Sequence, residues 1–432
     1  MTCFEYSQLD EKVYRTRLEN GLQVMVIPRK DFTRKCAYFA TDFGAIHTEF
    51  DFEGQHYTVP GGVAHFLEHK MFDMPGGADV SGQFAALGAN VNAFTSYDMT
   101  AYYFSTTDHF RECLELLLSF VSTAWFTEES IQKELGIIDQ EIGMTEDSPD
   151  NRVYEQLLKN AYTVHPIRVP ILGSRESIRQ ITPEILHLCH RAFYTPENMV
   201  LCVVGDVDPK EVRETARKVL GNERKPKGIK ASRWDEPMEV PVPLENLRME
   251  VAMPMFQLLF KCGESLKGKE GFHQEMVADL AAEWLFGESS ELYLKLYEEG
   301  LIDSSFGGGF ETIDGCAMLT AGGDSEDPEA VLDAILAQAQ VLAERGMEEA
   351  DFRRLLRCSL GSRIKGLDSF DSTCFRLCAY HMFGFDYFEF PEVVRQVTPQ
   401  EITRFLKEAV LPQRAGMCVI YPQQQEETYE SQ

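Results

Sequence analysis

Two stretches of the chain, half its length apart, read as versions of one another. "QITPEILHLCHRAF" begins at 180 and "QVTPQEITRFLKEA" at 396, an offset of 216 in a chain of 432 residues. Each leads into an apolar strand, "NMVLCVVGDV" in the first instance and "AGMCVIYP" in the second. "FTEESIQKELGIIDQEI" is likewise matched by "GMEEADFRRLLRCSLGSRI". An ordered series of echoes constrains the fold more than any single motif does, because each copy is one structural unit repeated. The length leaves each copy enough chain for its own core. The sequence is therefore expected to form two tandem α+β domains, 1–222 and 247–432. Between them, 223–246 holds Pro226, Pro237, Pro241 and Pro243 among many charges and reads as a linker.

Within the first copy, strands and helices alternate. "NGLQVMVIP" (20–28) is a turn followed by a strand, and "KCAYFATDFGA" (35–45) is another strand. Residues 61–74 are expected to be helical and to stop before Gly76 and Gly77. "VSGQFAALG" is a short helix. Residues 89–107, rich in Thr, Tyr and Phe, are expected to form a strand pair. Helices are expected at 109–125 and 127–146, a buried strand at 198–207, and a helix from Pro209 to about Leu220.

Charge and cysteine content exclude several classes. A net charge of -28 argues against nucleic acid or an anionic membrane as partner. The start, "MTCFEYSQLDEK", has acids and no apolar core of a signal peptide, and no apolar run is long enough to span a bilayer. The eleven cysteines are scattered without a paired framework, which suits reduced, buried thiols in the cytoplasm. Cys374, Cys378 and His381 could suggest a metal site. At spacings of 0, 4 and 7 they also fit one apolar face of a helix, and that reading is preferred because small thiols pack as hydrophobes.

The chemistry is concentrated in "VAHFLEHKMF" (63–72). On a helix at ~100° per residue, His65 and His69 lie ~40° apart, with Glu68 ~60° to the other side of His65. Phe66 and Leu67 then point toward a core. Two imidazoles at i and i+4 suit one Zn²⁺, and a carboxylate on the same face is placed to take a proton from an attacking water. The order is H-x-x-E-H, the inverted zincin form. A third ligand is expected in "QKELGIIDQEIGMTEDSPD". Glu134 and Glu141, two turns apart, share a helix face within ~20°, while Leu135, Ile137 and Ile138 mark the buried side. Either glutamate could ligate while the other orients a ligand. Glu146 and Asp147 compete but sit beside Pro149, at a helix end.

These residues belong to a longer pattern: "ENGLQVMVIP", "GGVAHFLEHKMF", "GANVNAFTSYDMTAYYFST", "QKELGIIDQEI", "HPIRVPILGSRESI" and "FYTPENMVLCVVGDV". Together they resemble the pitrilysin (insulinase-type) zinc peptidases, in particular the short two-domain bacterial members. Within that family the chain is most similar to the catalytic-type subunit of Gram-positive bacteria associated with elongation factor P modification. The resemblance implies two similar α+β domains, each a mainly antiparallel sheet covered by helices on one face. It implies His65, His69 and Glu141 as ligands of one Zn²⁺, Glu68 as general base and Glu134 as supporting carboxylate. Asn92, Ala93 and Phe94 match the edge strand on which a peptide substrate docks as an added strand.

The second copy departs from the catalytic pattern. Aligning Phe72 with Phe286 puts Asp279, Ala282 and Glu283 where His65, Glu68 and His69 stand, and Gly361 near the place of Glu141. The Arg and Tyr with which the family's second half holds substrate backbone fall at Tyr297 and at Asp303 or Ser304. The resemblance thus implies a zinc endopeptidase or oligopeptidase, acting on extended peptides or a peptide precursor. A homologous non-catalytic subunit would supply the missing pair in a heterodimer; a homodimer is the alternative. A scaffold subunit of the same fold is the competing reading, and the intact His65, Glu68, His69 and Glu141 set weighs against it.

Overall fold

The structure, a computed structural model, describes residues 1–223 and 229–423. The first half builds a seven-stranded sheet from β1 (Thr2–Tyr6), β2 (Glu11–Arg17), β3 (Gln23–Pro28), β4 (Lys35–Thr41), β5 (Asn90–Thr95), β6 (Thr100–Thr106) and β7 (Met199–Gly205). Their spatial order is β1-β2-β3-β7-β4-β6-β5, and every neighbouring pair is antiparallel except β3 with β7. Its helices of eight residues or more are α1 (Val63–Lys70), α2 (Phe110–Val121), α3 (Glu128–Asp147), α4 (Pro149–Ala161), α5 (Pro183–Phe193) and α6 (Pro209–Leu220).

The second half repeats the plan with five strands. These are β8 (Leu244–Met249), β9 (Met255–Gly263), β10 (Gly307–Ile313), β11 (Cys316–Asp324) and β12 (Ala415–Pro422), in the order β8-β12-β9-β11-β10. Here β8 and β12 form the one parallel pair, so β10 stands where β5 stands in the first sheet. The helices of eight residues or more are α7 (Gly268–Phe286), α8 (Glu291–Glu298), α9 (Pro328–Arg345), α10 (Glu349–Lys365), α11 (Phe370–Phe383) and α12 (Pro399–Ala409). The molecule is an α+β protein of two like domains. The echo that revealed them has a physical basis. In both copies a Thr caps a helix and Pro opens its first turn: Thr182 accepts from the Ile185 amide and Thr398 from the Glu401 amide, both at 3.4 Å.

Packing departs from the one-sided arrangement expected for the sheets. On β4, Ala37 and Phe39 face the first half's own helices. Cys36, Tyr38 and Ala40 face the core of the second half, where α11 lies across β4 and β7. Covering on both faces explains why β7 is buried at all seven positions and reads as an unbroken apolar run. Cys374 and Cys378 are part of this seam, fully buried, with Cys374 Sγ 3.9 Å from the Cys202 carbonyl oxygen. His381 is exposed and not gathered with them.

The segment 223–246 is anchored where it is described. Lys230–Ala231 pairs with Asp51 and Phe50. Trp234 meets His165 edge-on at 4.8 Å, and β8 begins at Leu244, inside the span. Glu236 accepts the amides of Thr163, Val164 and His165 at 2.7–2.9 Å and the Lys261 ammonium at 2.8 Å. A proline-rich, charged stretch leaves few signs of such docking, because its partners come from distant parts of the chain. The halves are also tied at Asp386. It receives both Arg15 guanidinium nitrogens, at 2.5 and 2.6 Å, and the Tyr6 hydroxyl at 2.5 Å.

Candidate metal centre and catalytic site

The site depends first on where α1 starts. Gly62 precedes it at φ 88°, a left-handed conformation that favours glycine, and a Cβ there would lie 2.4 Å from the Leu172 carbonyl oxygen. The chain can therefore enter the helix close against the 170–173 loop. Phe66 and Leu67 are fully buried, as their helix angle predicts. His65 and Glu68 are buried as well, at 7% and 8% exposure, so the functional face of α1 is itself inside the protein.

Helix α3 approaches from the side. Thr127 and Ser130 cap its start reciprocally. The expected orientation of α3 needs correction. Ile137 is exposed and Leu135 only half-buried, while the buried stripe is Ile131, Glu134, Ile138 and Ile142. The stripe that carries Glu134 faces inward because α1 offers it a hydrogen-bonding partner and a cation, so a carboxylate is tolerated there. Glu146 is drawn off by Arg175 at 2.6 Å, and Asp147 is exposed at the helix end.

The two glutamates make different contacts. Glu134 Oε1 lies 2.9 Å from His69 Nδ1 and Oε2 lies 3.5 Å from Lys70 Nζ. Glu141 instead faces the opposite nitrogens: Oε1 is 3.7 Å from His65 Nε2 and Oε2 is 3.7 Å from His69 Nε2. Donor atoms of His65, His69 and Glu141 all fall within 4.8 Å of one another, a grouping that no other His, Cys, Asp or Glu set among the described residues matches. Tetrahedral ligands at zinc distances are separated by about 3.3 Å. The 3.7 Å separations are close to that and too long for hydrogen bonds, so the donor set fits a Zn²⁺ ion.

Electrostatics agree with the geometry. Burial, with His69 beside it, pushes the His65 imidazole down to about 3, so it is neutral near pH 7 with a lone pair to give. Its Nδ1 is buried with no partner. His69 is opposed by burial but held above its ordinary value by the hydrogen bond to Glu134. Burial likewise works against the Glu134 carboxylate, yet His69 and Lys70 keep it below the usual range. The Glu68 carboxyl is raised by burial, partly offset by the Thr95 hydroxyl, which donates to Oε2 at 2.6 Å.

Thr95 and Lys70 are site residues the sequence did not mark. Thr95 ends β5, and only the pairing of β5 beside α1 reveals its contact. Lys70 directly follows His69 and would ordinarily be read as exposed. It is 1% exposed, contacting Asp73, the Ser130 carbonyl oxygen and Glu134. The expected edge-strand residues Asn92, Ala93 and Phe94 do lie on β5, the last strand of the sheet, paired on one side only with Tyr103, Tyr102 and Ala101. The Ala93 amide is held by Asn92 Oδ1 at 2.9 Å.

In the second half, Asp279, which the sequence alignment sets opposite His65, is met by a guanidinium. Arg363 of α10 reaches Asp279 at 2.6 Å and Glu275 at 3.2 Å, both on α7. Tyr297 is exposed and stacked on Tyr293 at 5.9 Å, and Asp303 accepts the Ser305 amide at 2.7 Å.

Comparison with known proteins gives a consistent result. The family model described as insulinase (peptidase family M16) matches residues 56–175, and that of the peptidase M16 inactive domain matches 180–357. A Bacillus subtilis protein named as the uncharacterized zinc protease YmfH is 35% identical over 429 residues, covering 97% of this chain and 98% of its own length. The crystal structure of an M16-like peptidase from Alicyclobacillus acidocaldarius superposes with a TM-score of 0.92 at 32% identity, covering 96% and 99% of the two chains. A protease from Helicobacter pylori shares the fold, with a TM-score of 0.82 at 20% identity over 95% and 100% of the chains.

Proposed function

The chain belongs to the insulinase-type M16 peptidase family, and from that premise we propose that it is a zinc-dependent peptidase that hydrolyses extended peptides. The observation that carries this reading is the convergence of His65 Nε2, His69 Nε2 and the Glu141 carboxylate beside the buried Glu68. His65, His69 and Glu141 would hold one Zn²⁺ per chain. Zinc bound there supplies Lewis-acid polarisation of a carbonyl and makes water more acidic.

The chain's own residues do the rest. Glu134 accepts from His69 Nδ1, which fixes the ring and leaves Nε2 for the metal. Thr95 occupies Glu68 Oε2, so Oε1 is the oxygen left to take the proton of the attacking water. A raised Glu68 pKa suits both that step and return of the proton to the leaving amine. The open edge of β5 at Asn92, Ala93 and Phe94 would hold the peptide extended, with Asn92 Oδ1 giving up the Ala93 amide to it.

The partner is part of the proposal. By the sequence alignment Tyr297 falls near the place of the family's substrate-holding Arg, and Asp303 or Ser304 near that of its Tyr, so a homologous chain bearing that pair would complete the site as a heterodimer. A homodimer is the alternative. Turnover by the chain alone, unchanged on adding the homologue, would exclude the heterodimer. The eleven cysteines are all unpaired, which favours a reducing compartment such as the cytoplasm. Among the described residues no helix is long and apolar enough to cross a membrane.

Glu68→Gln tests the mechanism. Zinc content, read by elemental analysis, should stay at about one per chain, while peptide cleavage by the assembled enzyme should vanish. Retained turnover would remove Glu68 from its role, and absence of zinc from freshly prepared protein would remove the metal assignment.

A further inference from the structure

A groove of about 750 Å³ is formed in the second half by one face of α12 together with the end of α9 and the turn after it. Its size is within the range for ligand pockets, about 300–1,000 Å³. Met347, Pro399 and Leu411 are its apolar lining, and Arg404, Lys407 and Arg414 line it with a single acid, Glu408. Arg404 and Lys407 are exposed, and Arg414 is half-buried. None of the three cationic side chains makes an ion pair or hydrogen bond with a described residue. This collects three unanswered cations in one place, in a chain with 69 acidic residues against 41 basic ones.

The first half shows how the same place is filled when it is closed. Helices α5 and α12 start at Pro183 and Pro399, 216 residues apart, and α3 and α10 start at Glu128 and Glu349, 221 apart. Counted from those starts, Thr403, Arg404 and Arg414 correspond to His187, Leu188 and Asn198, while Gly346 and Met347 correspond to Trp125 and Phe126. Phe126 is buried, its ring centre 4.8 Å from that of His187. Leu188 packs on the core. Asn198 is buried and donates to the Phe193 and Asp42 carbonyl oxygens at 2.9 and 3.1 Å. The second half has Gly346 and Met347 in place of the indole and phenyl rings, and guanidinium groups in place of Leu188 and Asn198. Its groove is therefore short of aromatic bulk and long on positive charge.

Those two deficits define the occupant. Covering the groove takes Arg404, Lys407 and Arg414 out of water, which is costly unless each cation is paired. A cover must therefore bring carboxylates, and arginine clusters recognise acidic motifs through charge-assisted hydrogen bonds. It must also bring an apolar group of aromatic size for the space beside Gly346 and Met347. The net charge of -28 does not forbid an acidic partner, because exposed charges farther than ~8 Å are largely screened at physiological ionic strength and the local cations decide contact. We infer that this groove docks an acidic segment of a partner protein, in which an aromatic side chain stands next to two or more carboxylates. The site uses neither the zinc ligands nor Glu68, so it stands whether or not the peptidase reading does.

The first half supplies the probe. "TAWFTEE" (123–129) joins its own aromatic pair to Glu128 and Glu129. The acetylated, amidated peptide of that sequence is titrated by calorimetry into the full-length chain carrying Glu68→Gln, which keeps the peptide whole. It should bind about tenfold more tightly than TAWFTQQ, the scale of two partly exposed charge pairs, and more tightly than TAAATEE. Arg404→Glu combined with Lys407→Glu should abolish the preference for glutamate over glutamine. Glu408→Gln, which removes the one acid of the groove, should strengthen binding about threefold. All three positions are exposed on α12, and circular dichroism checks that each variant is folded. Equal binding of the three peptides, or a glutamate preference unchanged in both variants, would overturn the proposal. So would binding that appears only when the chain is ended at Gln423, which would give the groove to residues 424–432 of the chain itself. A self-dimer in sedimentation that the charge reversal dissolves would give it to a second copy and overturn the proposal equally.

Discussion

Glu134→Gln is the sharpest test of how the centre is held. Glu134 accepts from His69 Nδ1 at 2.9 Å and has the Lys70 ammonium 3.5 Å from its other oxygen. Glutamine keeps an acceptor of the same shape for His69 Nδ1, but removes the charge and puts an amide NH2 where an oxygen faces Lys70. A hydrogen bond to a charged group contributes about 1.5–3 kcal/mol and a neutral one about 0.5–1.5, so the substitution should cost about 1–1.5 kcal/mol. At about 1.4 kcal/mol per tenfold, zinc affinity should fall about tenfold, the low end for a lost supporting partner. Glu141→Gln removes a charged ligand from between the two Nε2 atoms and should weaken binding further. The assay is competition against a fluorescent chelator of known zinc affinity at fixed pH. Urea unfolding of the zinc-free proteins would separate affinity from stability, since Lys70 retains Asp73 and the Ser130 carbonyl oxygen. If Glu134→Gln releases zinc more readily than Glu141→Gln, the two carboxylates have exchanged roles. If it has no effect, the contact with His69 does not orient the ligand.

Two further outcomes concern the seams. At Asp386, burial works against the charge but Arg15 and Tyr6 hold the carboxyl below its ordinary value; its contribution is therefore fully present above about pH 4, the unfolded value, and is lost as pH falls through the folded value. Asp386→Asn should cost about 1.5–3 kcal/mol near neutrality and flatten the acid limb of urea-unfolding stability against pH; an unaltered acid limb would contradict this. Glu236→Ala would leave the Lys261 ammonium, 2% exposed, without its carboxylate and should cost about 3–5 kcal/mol in the same urea assay, with Glu236→Gln milder; equal stability of all three proteins would show that this contact does not hold the connecting segment.

Local signals carried much of the architecture. The Thr-Pro helix starts at 182 and 398, the four-residue spacing of His65 and His69, and the Thr- and Tyr-rich pair around Asn92 each depend on near neighbours, so sequence alone exposes them. What stayed hidden depends on partners far along the chain. Ile137 and Ile138 are equally apolar, yet only Ile138 is buried, because the seating of α3 is decided by His69 and Lys70 on α1. Thr95 gains its meaning from Glu68, 27 residues earlier. The second covered face of the first sheet needs α11, whose Cys374 meets Cys202 from 172 positions away.

The Arg363 bridge has a consequence for how such a molecule matures. In the first half, α1 and α3 meet through His69, Lys70 and Glu134, and the proposed ion would add a link that has to be acquired and can be stripped. In the second, α7 and α10 are joined by a guanidinium built in at synthesis, flanked by Asp279 and Glu275. Burial and Glu275 push the Asp279 carboxyl up to about 7 despite Arg363, a cost the permanent cation offsets. If the proposed ion binds, the second half has its link before any metal is delivered, and only the first half gains one on delivery. Hydrogen exchange should show that asymmetry directly: chelation should loosen the amides of α1 and α3 and leave those of α7 and α10 as they were.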